Sequence, residues 1–437
     1  MLTFIIKFLP FYLYLIGMTV IIFLSLRGKI NYSLLFLVFL FPLQNVVDKL
    51  RPFPFGKDYI DIILIAMVLG WILKSVVEKR KIFESTLFNN PLFIMAVFTF
   101  ISLVLGSFYL SYSFTLNLGD LRLQNWKNYM LFPLIYFIVV NNISNVKEIK
   151  RLILAMILSM FVMDYYTINQ IRWSSGLLSR DKLHGTFVWL GPNELGAFFA
   201  AYSLVLLGIY LFEKVVIKKA LIGLIFILNL FCVLFLFSRG AYVGMIAGLI
   251  ALAFLKSKKL LILLIVLLIS WQSLLPLSVV ERISQTRTEQ GTLDDSVTSR
   301  LYLWQKGMGL FNQSPIIGIG FNTVNFLDLG GYSDTHNIYV KILAEQGIVG
   351  FTIFILLFWL ALKSGWQLYK NSKDGFLKGL GLGFILCVIA MMATNIFGDR
   401  WTHFTVGAYY WVFLALVVRG NIISSEQLKT NIPTSKK

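Results

Sequence analysis

The sequence predicts an all-α polytopic membrane protein, with about 12–13 transmembrane helices and one large loop outside the lipid. Three observations carry that prediction. Of the 437 residues, 58% are hydrophobic and only 14% charged, too apolar for a soluble globular chain. Apolar windows of the length needed to cross a hydrocarbon core recur along the whole chain, and open strands would leave their backbone groups unsatisfied there. Short lysine clusters separate many of these windows, which is how a membrane protein marks one of its faces.

Taken in order, candidate spans fall near 8–26, 30–47, 59–73, 91–107, 128–141, 151–169, 192–213, 220–237, 241–255, 260–276, 338–362, 379–397 and 404–419. Leu2–Leu26 is too long for a signal-peptide core and lacks a small-residue cleavage site, so it reads as a retained span. The clusters Lys79-Arg80-Lys81, Lys147/Lys150/Arg151, Lys214/Lys218/Lys219, Lys256/Lys258/Lys259 and Lys363/Lys370/Lys373/Lys378 share one face if the spans alternate. Lys436-Lys437 at the tail joins them, and the rule makes that face, with the C-terminus, cytoplasmic. Thirteen spans would leave the N-terminus outside beside Lys7, so one of the first two is expected to be miscounted. Distributed this way, the net charge of +18 is a topology signal rather than a nucleic-acid footprint. Cys232 and Cys387 both lie in apolar windows, which argues against a disulfide framework or a metal cluster. No internal repeat suggests a duplicated transporter. Residues 1–437 read as a single transmembrane domain.

One stretch breaks the pattern. Residues 277–337 form a large polar loop between two spans, expected to carry amphipathic helices and to end in His336-Asn337. By alternation it lies on the outer, periplasm-like side. Arginines gather on that side too, among them Arg51, Arg122, Arg172, Arg180, Arg239, Arg282, Arg287, Arg300 and Arg400. A guanidinium binds phosphate or carboxylate through a planar fork, so the bias points to a large anionic ligand. Pairing with the outer acids Asp294, Asp295, Asp334 and Asp399 is the alternative.

Four outer segments carry candidate chemistry. Arg180 through Gly196 holds His184-Gly185-Thr186-Phe187 and then Gly191-Pro192-Asn193-Glu194, where a proline opening a helix is ordinary punctuation. Ser238-Arg239-Gly240 sits between two spans with no loop. Arg239 is therefore held at the lipid–water boundary, either snorkelling to headgroups or binding phosphate beside a helix N-terminus. In Ser296–Phe311, Val297, Leu301, Trp304, Met308 and Phe311 repeat at helical spacing. That predicts an amphipathic helix packed by this stripe on the membrane domain, with Arg300 facing inward at its edge. Pro315 ends it, and Gly318-Ile319-Gly320 reads as a turn, weak evidence for a phosphate cradle. Last, Asp334 or Thr335 is a good N-cap, placing His336 in or near a first helical turn. Positive potential there disfavours imidazolium and leaves a neutral base near pH 7; a structural capping histidine is the plainer reading.

Together these segments resemble the O-antigen ligase and polymerase family of bacterial envelope enzymes. Arg180 with Gly185-Thr186-Phe187 and Pro192-Asn193 is similar to the family's first outer motif, and Ser238-Arg239-Gly240 to its second. Ser299-Arg300 with Trp304, Ser314-Pro315 and Gly318-Ile319-Gly320 resembles the start of the large loop. His336-Asn337-Ile338-Tyr339, with Glu345, Gly347 and Gly350, is similar to its end and to the helix that follows. The likeness covers residues 180–400; the N-terminal part matches in hydropathy alone.

The resemblance implies a C-type membrane glycosyltransferase in the bacterial inner membrane. Such enzymes move a glycan from undecaprenyl pyrophosphate to an acceptor hydroxyl at the periplasmic face. The acceptor is lipid A–core in a ligase and another lipid-linked repeat in a polymerase. A ligase is expected, with a repeat-unit polymerase as the alternative. A transporter or flippase ranks behind both, because ionisable groups collect at the outer boundary rather than near the midplane. Carried over by position, His336 would activate the acceptor, and Arg239 and Arg300 would hold the pyrophosphate. Arg180, Asn193, Arg282, Asn337 and Asp399 are further candidate substrate contacts. No cofactor or metal is expected: the histidines do not cluster and no outer loop holds an Asp-x-Asp pair, while arginines can stabilise a departing pyrophosphate unaided. The expected partners are the donor, the acceptor and membrane lipids, and not nucleic acid. All of this requires the guanidinium groups and the His336 imidazole to converge around a gap that admits a diphosphate.

Overall fold

The computed structural model describes residues 2–43, 59–117, 119–173, 190–256, 258–285 and 294–430, and there the regular structure is helical. In chain order the helices are α1 (Leu2–Leu26), α2 (Ile30–Leu40), α3 (Tyr59–Val77), α4 (Asn89–Tyr109), α5 (Leu121–Asn142), α6 (Val146–Trp173), α7 (Pro192–Tyr210) and α8 (Val216–Phe235). There follow α9 (Arg239–Lys256), α10 (Lys258–Ile269), α11 (Trp271–Leu274), α12 (Leu277–Ser284), α13 (Asp295–Gln313), α14 (Ile338–Asn371), α15 (Gly375–Thr394) and α16 (Phe404–Thr430). Among the described residues, nine helices are long and apolar enough to cross a membrane: α3, α4, α6 to α9 and α14 to α16. The chain is a multi-pass membrane protein.

The remaining candidate spans differ for local reasons. Helices α2 and α10 are shorter, at 11 and 12 residues. The expected span 260–276 stops at Ile269, where Ser270 and then Pro276 interrupt the helix. Helix α5 is long enough, about 33 Å at roughly 1.5 Å per residue, but its first turns carry Gln124, Asn125, Lys127 and Asn128. Two cross-links gather lysine-bearing junctions on one face. Lys150 lies 3.7 Å from Asp374, and the Lys256 ammonium sits 4.1 Å from the Phe212 ring centroid. The loop face is the opposite one.

Helices α7, α9 and α15 pack closely through glycines. Lipid tails are as apolar as leucine, so membrane helices associate where small residues let their backbones close up. At the α7–α15 crossing a Cβ on Gly208 would lie 2.6 Å from the Gly379 carbonyl oxygen. On α9 a Cβ on Gly244 would lie 3.1 Å from the Ala390 carbonyl oxygen of α15. These crossings fix where the three helices end on the loop face.

Helix α14 is broken at Gly347, whose φ of 61° and ψ of −163° leave the helical region. A break in a membrane helix frees backbone groups that need partners. Here the loop supplies them. Ile348 and Val349 donate to the carbonyls of Pro315 (2.9 Å) and Ile316 (3.2 Å), while Ile319 and Gly320 donate to those of Ala344 (2.9 Å) and Glu345 (2.8 Å). The Gly318-Ile319-Gly320 segment is therefore docked on a helix break, its N–H groups spent, rather than cradling phosphate. Any Cβ at Gly347 would lie 2.6 Å from the Ile317 nitrogen, so only glycine fits.

Two local expectations need correction. The predicted amphipathic helix exists as α13, capped by Asp294, but its buried line is Leu303 and Gly307, with Leu301 and Met308 exposed. The stripe is turned by one residue, about 100°. Gly307 is the cause, since a Cβ there would lie 2.5 Å from Val340 Cγ1. Close approach at a glycine outweighs the bulk of Leu301 and Met308. Second, α14 starts at Ile338, and its N-cap is Asn337, which accepts from the N–H groups of Tyr339 (2.9 Å) and Val340 (3.3 Å). His336 lies one residue ahead of that cap with φ at +50°, near the helix start rather than within its first turn.

Candidate active site

Three helix ends meet on the loop face. Helices α7 and α9 both begin there, at Pro192 and Arg239, and α15 ends there at Thr394. Helix α13 and the turn from Asn395 to Arg400 close the space above them. The resulting pocket is lined by Asn193, Ser238, Arg239, Arg300, Thr394, Phe397 and Arg400, among others. Two helix N-termini facing one pocket supply free N–H groups and positive dipole ends, a setting that favours anions. The turn into α9 is tight, with Phe237 at φ +51°. Ser238 steadies it by donating to Asn193 Oδ1 at 3.1 Å and accepting from the Ala241 N–H at 3.4 Å.

The pocket is electropositive. Arg239 donates to Asp294 at 2.7 Å and also to Ser296. Arg400 pairs with Glu194. Arg300 makes no ion pair among the described residues, and burial together with the charges of Arg239 and Arg400 pushes its guanidinium below the ordinary arginine range. It remains protonated at neutral pH. Three guanidiniums thus face two carboxylates. Burial works against ionising Asp294, yet hydrogen bonds from Ser296 and Arg239 prevail and bring its carboxyl down to about 2. The gap expected for a diphosphate is closed in this state, with a volume of about 10 Å³, roughly one water's worth. The Asp294 carboxylate sits where an anion on Arg239 would bind.

His336 belongs to a second cluster on this face. Its Nδ1 donates to Asp334 at 3.1 Å, its ring edge meets Tyr332 at 6.2 Å between centroids, and its side chain is 45% exposed. Asp334 lies 3.8 Å from Lys341, and Lys341 donates to Asp399 at 3.1 Å. The neighbour of Asp399 is Arg400 of the arginine pocket. Burial opposes the charge on Asp334, but the hydrogen bond from His336 and the Lys341 ammonium hold its carboxyl at about 2. With Nδ1 donating, Nε2 keeps a lone pair free to take a proton.

Of the residues singled out in the sequence, Asn193, Arg239 and Arg300 come together in one pocket. Asp399 is adjacent but committed to Lys341 and Thr402, and the Asn337 amide oxygen is committed to the helix cap. Arg282, on α12, donates to the Phe237 carbonyl at 3.3 Å. Arg180, His184, Gly185, Thr186, Phe187 and Arg287 lie outside the described residues. Sequence reasoning passed over Arg400, Lys341 and Glu194 as site residues. Lys341 had a signal, because an ammonium in the first turn of an apolar span is costly unless paired.

No curated protein matches the chain. Residues 224–355 are similar to the family model described as O-antigen ligase, and that stretch holds Arg239, Arg300, Asp334, His336 and Lys341.

Proposed function

We propose that the protein is a membrane glycosyltransferase that moves a glycan from undecaprenyl pyrophosphate to an acceptor hydroxyl, acting as an O-antigen ligase on lipid A–core. The similarity of residues 224–355 to the O-antigen ligase family model supports the general ligase or polymerase activity. The observation that carries the donor is the arginine pocket, where Arg300 makes no ion pair among the described residues and its charge is opposed by those of Arg239 and Arg400. A pyrophosphate would relieve that repulsion. The lysine-bearing face opposite supports a periplasmic site and a cytoplasmic C-terminus.

In this reading the acceptor oxygen attacks the anomeric carbon of the donor sugar. The bond from that carbon to the pyrophosphate oxygen breaks, and its electron pair leaves with the lipid carrier. Arg239 and Arg300 stabilise the charge appearing on the leaving oxygens, an effect worth about 10²–10³ in rate for one such donor. His336 Nε2 takes the acceptor proton, and the Asp334 carboxylate stabilises the resulting imidazolium. Asp294 must release Arg239 before the donor binds. Arginine carries the charge throughout, so transfer is expected to persist in EDTA; inhibition reversed by Mg²⁺ would contradict this.

The deciding experiment is a deletion strain examined for its envelope glycan. Loss of a ligase leaves full polymer on the lipid carrier, the outcome expected here. Single-repeat caps on lipid A–core would identify a polymerase instead, and an unaltered glycan would end the glycosyltransferase reading.

A further inference from the structure

A second cavity opens on the loop face, on the other side of the segment 398–402. Its volume is about 240 Å³, against about 10 Å³ for the arginine pocket. Its polar wall is made of amides: Asn125 and Asn128 from α5, Asn322 and Asn325 from the loop, and Gln346 from α14. Asn125 and Asn128 are three apart on one helix face. An amide offers both a donor and an acceptor without charge. The charged groups in the wall are already spent: Lys341 on Asp399, and the two Glu345 oxygens on the N–H groups of Asn322 and Val324 at 3.0 Å each. Asn322 is 6% exposed, and its Nδ2 has no hydrogen-bond partner. A cavity walled by uncharged amides, with an unpartnered amide donor buried in its wall, points to a ligand with hydroxyl groups.

The rest of the wall is aromatic. Phe404 presents a half-exposed ring there, with Trp401 buried behind it and its Nε1–H donated to the Tyr129 hydroxyl at 2.8 Å. A pyranose ring has apolar C–H faces that lie against aromatic surface and a hydroxyl rim that meets amides. Anionic ligands are poorly served, since the walls offer no unpaired cation. Position chooses between the two glycans of the reaction. Lys341 lines this cavity and faces Asp334, which holds His336, so the cavity lies on the side of the base. The arginine pocket lies on the side of the leaving group. We propose that this cavity seats a sugar residue of the acceptor glycan, an inference that rests on the glycosyltransferase reading above.

The test uses the full chain in nanodiscs, with a polyprenyl-pyrophosphate-linked glycan as donor and lipid A–core as acceptor. Asn125 and Asn128 are not fully buried, so the double variant Asn125→Ala/Asn128→Ala and the space-filling Asn128→Trp should both fold. The expected result is a KM for lipid A–core raised about tenfold in each, equivalent to roughly 1.4 kcal/mol, with the KM for donor unchanged. Delipidated core oligosaccharide should bind wild type by calorimetry and both variants about tenfold more weakly. An unchanged acceptor KM overturns the proposal, and so does a rise confined to the donor KM, which would place donor glycan in the cavity. Wild type that binds core oligosaccharide but transfers nothing would overturn the glycosyltransferase reading while sparing the cavity assignment. Equal oligosaccharide affinity in wild type and variants would remove the cavity assignment alone.

Discussion

His336 owes its direction to a backbone conformation that few non-glycine residues adopt, with φ at +50° just ahead of a capped helix. Such strain persists only where surroundings enforce it, and here Asp334 and the Asn337 cap do so. Under the proposed mechanism, His336→Ala should lower kcat by about 10²–10⁴ with membrane insertion intact. Arg300→Lys keeps the charge but loses the fork, so it should recover little of the activity lost in Arg300→Ala. Transfer rates in purified protein check both, and wild-type rates in either variant would remove that residue from the mechanism. Arg239 and Asn193 were legible because each sits at a helix start that the apolar pattern locates, and Arg300 because it lies on a helix marked by periodic apolar residues. The Asp334–Lys341–Asp399 line was not, because its partners come from the loop, α14 and a turn 58 positions further on, and no periodicity relates them.

At the scale of elements, the break in α14 is the feature most exposed to test. Gly347→Ala must force a side chain into a left-handed position 2.6 Å from the Ile317 nitrogen. The expected cost is roughly 1–3 kcal/mol, seen as a lower Tm in detergent; an unchanged Tm would mean that the break is not fixed by glycine. The sequence pattern located nearly every helix but misjudged the face of α13. Hydrophobic periodicity registers bulk, whereas the docking of α13 is decided by Gly307, a residue with no side chain to count. The pattern also missed the break, because Gly347 interrupts an apolar run without changing its hydropathy.

For the whole molecule, alternation of spans and charge predicts which residues share a face. Cys232 and Cys387 are buried, which leaves the native chain a quiet background for cysteine labelling. Gln313→Cys on the loop face should react with an impermeant maleimide in intact spheroplasts. Lys218→Cys, at the start of α8, should react only after permeabilisation. The reverse pattern would invert the proposed topology. The span count was less legible than the fold class, since α5 mixes amides with apolar residues and α10 is cut short by Ser270. Both hold places that hydropathy alone cannot grade.

The carboxylate of Asp294 has one more consequence. Because it is tethered beside Arg239, it acts as a resident competitor at millimolar or higher effective concentration. An anion reaches that guanidinium only by exchange, so a singly charged ion gains little, while one that engages Arg239 and Arg300 together can win. Asp294→Asn retains a good helix cap and removes the competitor. Inorganic phosphate should therefore inhibit that variant at lower concentration than wild type, and equal inhibition would show that the chain sets no such threshold on the valence of what it admits.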